Sequence, residues 1–395
     1  MTTRRSRRKP AASVTEIKST RWFSPERDQA ILLHALKTAL EKEQGDPNRL
    51  KRALKIVSKR RFLTKSYRIL AEHAGESAPA VLKDLRAAAP AMLRQRHAFI
   101  DGFEARLYEA WRDPLDLLEM MIVCCIEGAE AVGDAWPWGK SPDDDIVYDV
   151  VRRLQAQGCL VATEVLALLK AGFASGAHAR WRSLHELAVT ASFIREHGKD
   201  TAERFLTHEH VEAFKAATLY QTHCRRLRQR RYTLKEMKAF KLARDAAIEK
   251  YGPAFKGRYG WAAPALGRPC DQFEPLEKDV KLDHLRPYYR MASYPVHATA
   301  KTINFSLALG NRRDVLLVGG SDSGLTDPGH CTAISLSQIT LALLMLWPTT
   351  DSILLMRILL LVVDEIGAAF LKADRKLNAR TRSHRRRTAR RAPKR

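Results

Sequence analysis

The longest periodic stretch of the chain covers residues 150–205 and reads VVRRLQAQGCLVATEVLALLKAGFASGAHARWRSLHELAVTASFIREHGKDTAERF. Its apolar residues recur every three or four positions, which is the spacing of an amphipathic helix. The pattern breaks at Gly172 and then resumes. It therefore predicts two long helices, at residues 146–173 and 175–197, with Gly198 as the C-terminal cap of the second.

The same helical spacing recurs on both sides of this stretch, before residue 132 and again at residues 201–238, 284–304, 332–347 and 352–373. β character is confined to Val315–Val318, which precede the turn-forming pair Gly319–Gly320. The sequence therefore predicts an all-α multi-helix bundle with at most one short β-hairpin. It divides the chain into a basic disordered tail (1–24), an N-terminal helical region (25–145), a helical domain (146–374) and a second basic disordered tail (375–395).

Positive charge is concentrated at the two ends of the chain. The net charge is +24, and residues 1–9 hold five basic side chains while residues 375–395 hold eleven and no acid. Basic tails of this kind favour RNA or DNA as partners, although solvated tails without a specific partner show the same composition. The predicted nucleic-acid contacts in the C-terminal tail are Arg385, Arg386, Arg387, Arg390 and Arg391.

The composition favours a cytoplasmic protein. Six cysteines form no C-x-x-C pair and lie mostly in apolar helical context, which is typical of buried thiols in a reducing compartment. No apolar core follows the N-terminal arginines, so no secretory signal is predicted. Charged residues and Pro348 interrupt the apolar region near the C-terminus, which favours a buried helical hairpin over a membrane span.

The sequence predicts no metal and no cofactor. Gly139-Lys140-Ser141 resembles the end of a P-loop, but Gly133 stands one residue too far away and a helix precedes the segment. His208 and His210 are two positions apart, which places them on different helix faces without a third ligand nearby.

Two groups of polar residues could carry chemistry. Arg182 and Glu186 are one helical turn apart, so they form either an intrahelical ion pair or part of an inter-helix pocket. Arg290 and His297 are predicted to lie two turns apart on one helix face, where His297 could equally be a structural residue at a helix end. The whole site hypothesis requires these four side chains to meet in one cleft.

The spacing of Arg290 and His297 resembles the Arg-x4-6-His signature of HEPN-domain ribonucleases. The resemblance implies metal-independent cleavage of RNA, in which His297 would move the proton of the attacking hydroxyl and Arg290 would stabilise charge on phosphorus. It also implies a homodimer, because HEPN sites are composite across a symmetric interface.

A second resemblance covers about residues 150–373. The pattern of small residues, Arg182 and Glu186, and a later alanine–arginine–aromatic run ending in Phe205 is similar to an uncharacterised bacterial family, the domain of unknown function numbered five-six-seven-seven. Tyr289 and Ser293, which precede His297, match its other landmark and are predicted to line the pocket. The resemblance implies an all-helical fold and brings no established activity.

Two functions follow as alternatives, since the sequence by itself does not say whether the chain is an enzyme. The first is a HEPN-like ribonuclease in a defence or toxin role. The second is a nucleic-acid-binding or regulatory protein without catalysis.

Overall fold

The computed structural model describes the backbone of residues 60–297, 300–304, 306–309 and 316–391, and the side chains of residues 74–297, 300–302, 306–309 and 316–380. The tail predicted at residues 1–24 and the helices predicted before residue 60 lie outside the described residues. The chain divides into two compact units, Met1–Ala98 and Phe99–Arg395. The domain boundaries drawn from the sequence stay predictions.

Across the described ranges the secondary structure consists of α-helices and short 3-10 turns, with no strand. This confirms the predicted all-α fold. In chain order the helices are α1 (Arg60–Ala135), α2 (Pro142–Lys170), α3 (Ala174–Thr207), α4 (Glu209–His223), α5 (Leu234–Tyr251), α6 (Glu274–Asp279), α7 (Arg286–Ala292), α8 (Ala300–Asn304), α9 (Thr326–Leu344) and α10 (Thr350–Arg391). The 3-10 turns are Pro253–Lys256, Gly260–Ala262 and Asp283–Leu285.

Helix α2 begins four residues before the predicted start at residue 146 and ends three residues before the predicted end at residue 173. Pro142 occupies its first turn together with three aspartates, and Lys170 lies in its last turn, so both ends complement the helix dipole. The chain then reverses at Gly172, which has a φ of +78°. A Cβ there would lie 2.7 Å from the carbonyl oxygen of Ser321, so the turn requires glycine for both conformation and space.

Helix α3 lies at the centre of the second unit, where it packs against α2, α7 and α9. Trp181 is fully buried in it and donates a hydrogen bond to Ser335 of α9 over 3.0 Å. Gly198, predicted as a cap, instead interrupts α3 with φ +71° and ψ −154°, and the helix resumes after it. The centre of the core is therefore a helix that is hydrogen-bonded to α9 through a buried indole.

Helix α1 changes direction at Trp111, whose φ and ψ are −117° and 16°. This lies two residues before Asp113 and Pro114, where the sequence predicts a new helix start. The indole of Trp111 is fully buried and donates to the carbonyl oxygen of Asp322 over 2.9 Å. The kink is therefore held by a contact with the loop that precedes α9.

The segment with predicted β character does not form a strand where it is described. Val315 lies outside the described residues, and Leu316–Val318 are irregular. Leu316 and Val318 are more than nine-tenths exposed. The described chain offers no neighbouring strand to complete a ladder, so β propensity alone leaves this segment as a loop.

The C-terminal region is a helical hairpin of α9 and α10, as predicted, but it is not buried throughout, because Ile353, Leu354 and Leu361 of α10 are more than half exposed. At its closest approach Gly329 faces the ring of Phe370, where an added Cβ would lie 2.1 Å from the ring. Within the described residues, no helix combines the length and apolarity needed to cross a bilayer. Helix α10 continues to Arg391, through residues predicted to be disordered, which agrees with the high helix propensity of arginine.

Candidate functional site

Four predicted pocket residues, Arg182, Glu186, Tyr289 and Ser293, meet between α3 and α7, and we call them the α3–α7 cluster. Arg182 Nε donates to Glu186 Oε1 over 3.1 Å, and its other guanidinium branch donates to Ser293 Oγ over 3.3 Å. The Tyr289 hydroxyl donates to the same Glu186 oxygen. The Arg182 guanidinium lies 4.5 Å from the centre of the Tyr289 ring. The pair predicted on one helix face is therefore also a contact between two helices.

The α3–α7 cluster is neutral and internally satisfied. Burial, followed by the hydrogen bond to Glu186, raises the pKa of Tyr289 well above its ordinary value, so this hydroxyl stays protonated and acts as a donor. The side chains of Arg182 and Glu186 are 23% and 33% exposed. Since each charge already contacts its opposite, the arrangement fits a lock between two helices better than a free acid or base.

A second charged group, which the sequence did not predict, lies beside this cluster. His185 and Glu277 are both fully buried, and His185 Nε2 lies 2.9 Å from Glu277 Oε1. A carboxylate has only acceptor atoms, so the imidazole carries the hydrogen of this bond. Arg286 binds the other Glu277 oxygen and lies 3.5 Å from Glu274. We call His185 and Glu277 the buried pair.

Aromatic rings surround the buried pair. Trp181 stacks against both His178 and His185, with ring centres 5.3 and 5.6 Å away. The ring atoms His178 Nε2 and His185 Nδ1 are buried without a hydrogen-bond partner among the described residues. Burial lowers the pKa of His178 to about 4. Both histidines are core residues.

Arg290 and His297 do not join the α3–α7 cluster. Helix α7 ends at Ala292, so the two residues do not share a helix face, and both side chains are exposed. In the described part of the chain, no hydrogen bond or ion pair connects either of them with Arg182 or Glu186. The turn after α7 is fixed by backbone bonds such as His297 N to Ser293 O, 3.2 Å. The predicted convergence of four side chains is therefore limited to the α3 pair and its contacts from α7.

The described residues contain no group of three or more His, Cys, Asp or Glu side chains that could hold a metal ion. His208 is buried and its Nε2 contacts the carbonyl oxygen of Gly257 at 2.9 Å, which gives it a structural role.

The five arginines predicted to contact nucleic acid are part of α10, but their side chains lie outside the described residues. A cavity of about 640 Å³ lies elsewhere, between α4 and α5, where Phe214, Leu219 and Ile248 line it.

One comparison with known proteins found a similarity for the region that carries the α3–α7 cluster. Residues 148–314 match a family of unknown function, DUF5677. The match includes Arg182, Glu186, Tyr289 and Ser293, and it ends before the residue near 373 to which the resemblance was predicted to extend. No match was found among curated proteins or among solved structures.

Proposed function

We propose that this protein, whose residues 148–314 match the DUF5677 family, binds RNA or DNA through a basic helical surface and has no catalytic activity of its own. One observation carries the proposal. Helix α10 continues to Arg391, and after Asp374 the chain holds eleven basic side chains and no acid. Arg375 and Lys376, at the start of this run, are exposed.

A helix of this composition suits a phosphate polymer for electrostatic reasons. Nucleic acid concentrates counterions along its backbone, and their release when cations bind supplies most of the affinity for any sequence. Nine of the eleven basic residues precede the end of α10, so helical order would limit the entropy lost on binding. The proposal therefore needs no base-specific contact.

The direct test changes the α10 arginines in the full chain. A variant with Arg385, Arg386, Arg387, Arg390 and Arg391 all replaced by glutamine should bind a labelled oligonucleotide more weakly. The slope of log affinity against log salt should fall by roughly 3.5 to 4.5 for five lost phosphate contacts, at about 0.7 to 0.9 for each. The matched variant with lysine at the same positions should retain most of the slope. An unchanged slope in the glutamine variant would contradict the proposal.

A cytoplasmic location in a bacterium belongs to the same proposal. All six cysteines are free thiols, and five of them are buried. Free, buried thiols are typical of proteins that fold in a reducing compartment. A regulatory role, in which the helical body binds a partner while the basic end holds nucleic acid, is compatible with this location.

A ribonuclease centred on Arg290 and His297 is the second candidate. The observation that favours it is the exposure of both side chains, which leaves them accessible to a polymeric substrate, across a homodimer interface if one forms. The test is to incubate total cellular RNA with the wild type, with His297→Ala and with a control, His284→Ala. The binding proposal predicts the same intact RNA in all three, whereas fragments lost only in His297→Ala would establish the nuclease.

A further inference from the structure

The loop between α4 and α5 carries a dense group of arginines, which we call the arginine turn: Arg225, Arg226, Arg228, Arg230 and Arg231. All five side chains are exposed. Arg230 pairs with Glu236 at 2.8 Å. The other four have no acidic partner among the described residues. A set of like charges this close together repels itself unless an anion is bound.

The arginine turn is held in one conformation by side chains outside it. The Gln221 amide binds the backbone of Tyr232 twice, with its Nε2 donating over 2.9 Å and its Oε1 accepting over 3.0 Å. The Tyr220 hydroxyl donates to the carbonyl oxygen of Arg230 over 2.7 Å. Thr233 and Glu236 form a capping box at the start of α5. These bonds fix the C-terminal end of the backbone that carries the arginines, and they join it to α4.

The turn itself also departs from an ordinary loop. Arg228 has a φ of +55°, in the left-handed region that non-glycine residues rarely occupy. Backbone bonds from Arg228 N to Arg225 O, 3.1 Å, and from Gln229 N to Cys224 O, 2.9 Å, close the turn around it. Strain of this kind persists where the surroundings fix the conformation, so the turn presents its guanidinium groups without further ordering.

We propose that the arginine turn is a preformed contact site for the phosphodiester backbone of nucleic acid, separate from the basic end of α10. It rests on the proposed function and adds a second site to it. The turn contains arginine and no lysine, and the planar guanidinium binds two phosphate oxygens at once. The whole segment from Glu209 to Lys256 holds twelve basic and five acidic residues, so its field also attracts a polyanion.

An anionic membrane is the competing ligand, since Leu227 and Leu234 are 58% and 91% exposed near the turn. Two leucines could insert between lipids while the arginines contact headgroups. Nucleic acid is favoured because the attraction of a protein to lipid headgroups requires only positive charge. In the arginine turn the backbone is fixed by hydrogen bonds, and all five cationic side chains are planar guanidinium groups. The leucines nevertheless provide the variant that separates the two ligands.

The experiment uses the full chain with Arg225, Arg226 and Arg231 replaced by glutamine; Arg228 is left unchanged because of its backbone conformation. Binding of a labelled uridine oligonucleotide should weaken, and the salt slope should fall by roughly 2, for three lost contacts with single-stranded RNA. A control of equal charge, Arg258→Gln, Arg268→Gln and Lys140→Gln, changes three other exposed cations and should retain the slope. Leu227→Ala with Leu234→Ala should bind as the wild type does.

The outcomes separate this site from the proposed function. If the wild type binds and the turn variant has the slope of its control, the arginine turn is not a contact and only α10 binds. If the wild type does not bind, both proposals fail. Loss of retention on phosphatidylserine vesicles in the leucine and turn variants, with RNA binding unchanged, would overturn the nucleic-acid assignment in favour of a membrane.

The hydrogen bonds between Gln221 and Tyr232 allow a second test that changes no charge. Gln221→Leu keeps every arginine but removes both bonds to Tyr232, so Gln221 is a positioning residue. The variant should bind the oligonucleotide several-fold more weakly with an unchanged salt slope, because the same contacts form after the loop is ordered. Wild-type affinity in a Gln221→Leu chain with native circular dichroism would show that the turn is not preformed for this ligand.

Discussion

Two charged regions of the chain differ in how their charges are balanced. In the α3–α7 cluster and the buried pair each carboxylate has a partner: Glu186 contacts Arg182, and Glu277 contacts both His185 and Arg286. In the arginine turn only Arg230 has such a partner among the described residues. The first region uses its charges inside the fold, and the second leaves them available.

The difference separates stability from binding. Removing a charge from the first region leaves its partner unpaired in a buried place, which costs folding free energy. In the second region only the removal of Arg230 breaks an ion pair, so changes at the other four arginines should act mainly on the affinity for a ligand. Each region therefore predicts a different measurement, and the variants below are ordered by the size of the expected effect on stability.

Glu277→Ala should have the largest effect. It leaves the fully buried His185 and the cation Arg286 without their carboxylate, and breaking a buried pair in this way costs about 3 to 5 kcal/mol. The free energy of unfolding in urea measures the loss. Glu277→Gln, which keeps an acceptor for His185, should lose less. Equal losses in both variants would mean that charge, rather than the hydrogen bond, holds the buried pair.

Acidic pH should lower the free energy of unfolding, because His178 is buried in the same region. Burial lowers its pKa to about 4, so the unfolded chain binds this proton below about pH 6.5 while the folded chain does not. Stability due to neutral His178 is present above pH 6.5 and is lost as the pH falls toward 4, by up to about 3 kcal/mol. In His178→Leu the unfolding free energy should depend less on pH across that window. Parallel curves for the two proteins would contradict the burial of a neutral imidazole.

Much of the fold could be predicted because helices depend on local spacing. The apolar period located α2 and α3, and Asp113–Pro114 located a break within two residues of the kink at Trp111. The prediction of β structure at Leu316–Val318 was wrong because β propensity acts only when another strand is available. Local patterns report the structure of a segment, but they do not report whether the segment finds a partner.

The candidate site was also predictable where its residues are close together in the sequence. Arg182 and Glu186 share a face because they are four residues apart, and Tyr289 and Ser293 contact them from another helix. The buried pair was missed because His185 and Glu277 are 92 positions apart, and no spacing rule connects them. The apolar neighbours of Glu277, Leu276 and Val280, were the available signal that this carboxylate is buried.

Tyr289→Phe should have a moderate effect and Ser293→Ala a smaller one. The phenol donates a hydrogen bond to a charged carboxylate, a contact worth about 1.5 to 3 kcal/mol, whereas Ser293 accepts one bond from Arg182 over 3.3 Å. Both losses would be measured in urea at neutral pH. Because both side chains contact the Arg182–Glu186 pair, the double variant should lose less or more than the sum. Strict additivity would show that the α3–α7 cluster does not act as a unit.

Neutralising the arginine turn should have the smallest effect on stability. Arg225, Arg226 and Arg231 are exposed and have no acidic partner among the described residues, and surface changes of this kind usually stay within about 0.5 kcal/mol. Their removal also relieves repulsion between neighbouring cations, so the urea midpoint of the triple glutamine variant should stay the same or rise slightly. The same protein should show the reduced salt slope for RNA. A clear drop in the midpoint would mean that the arginines stabilise the loop itself, and the turn would then resemble the α3–α7 cluster after all.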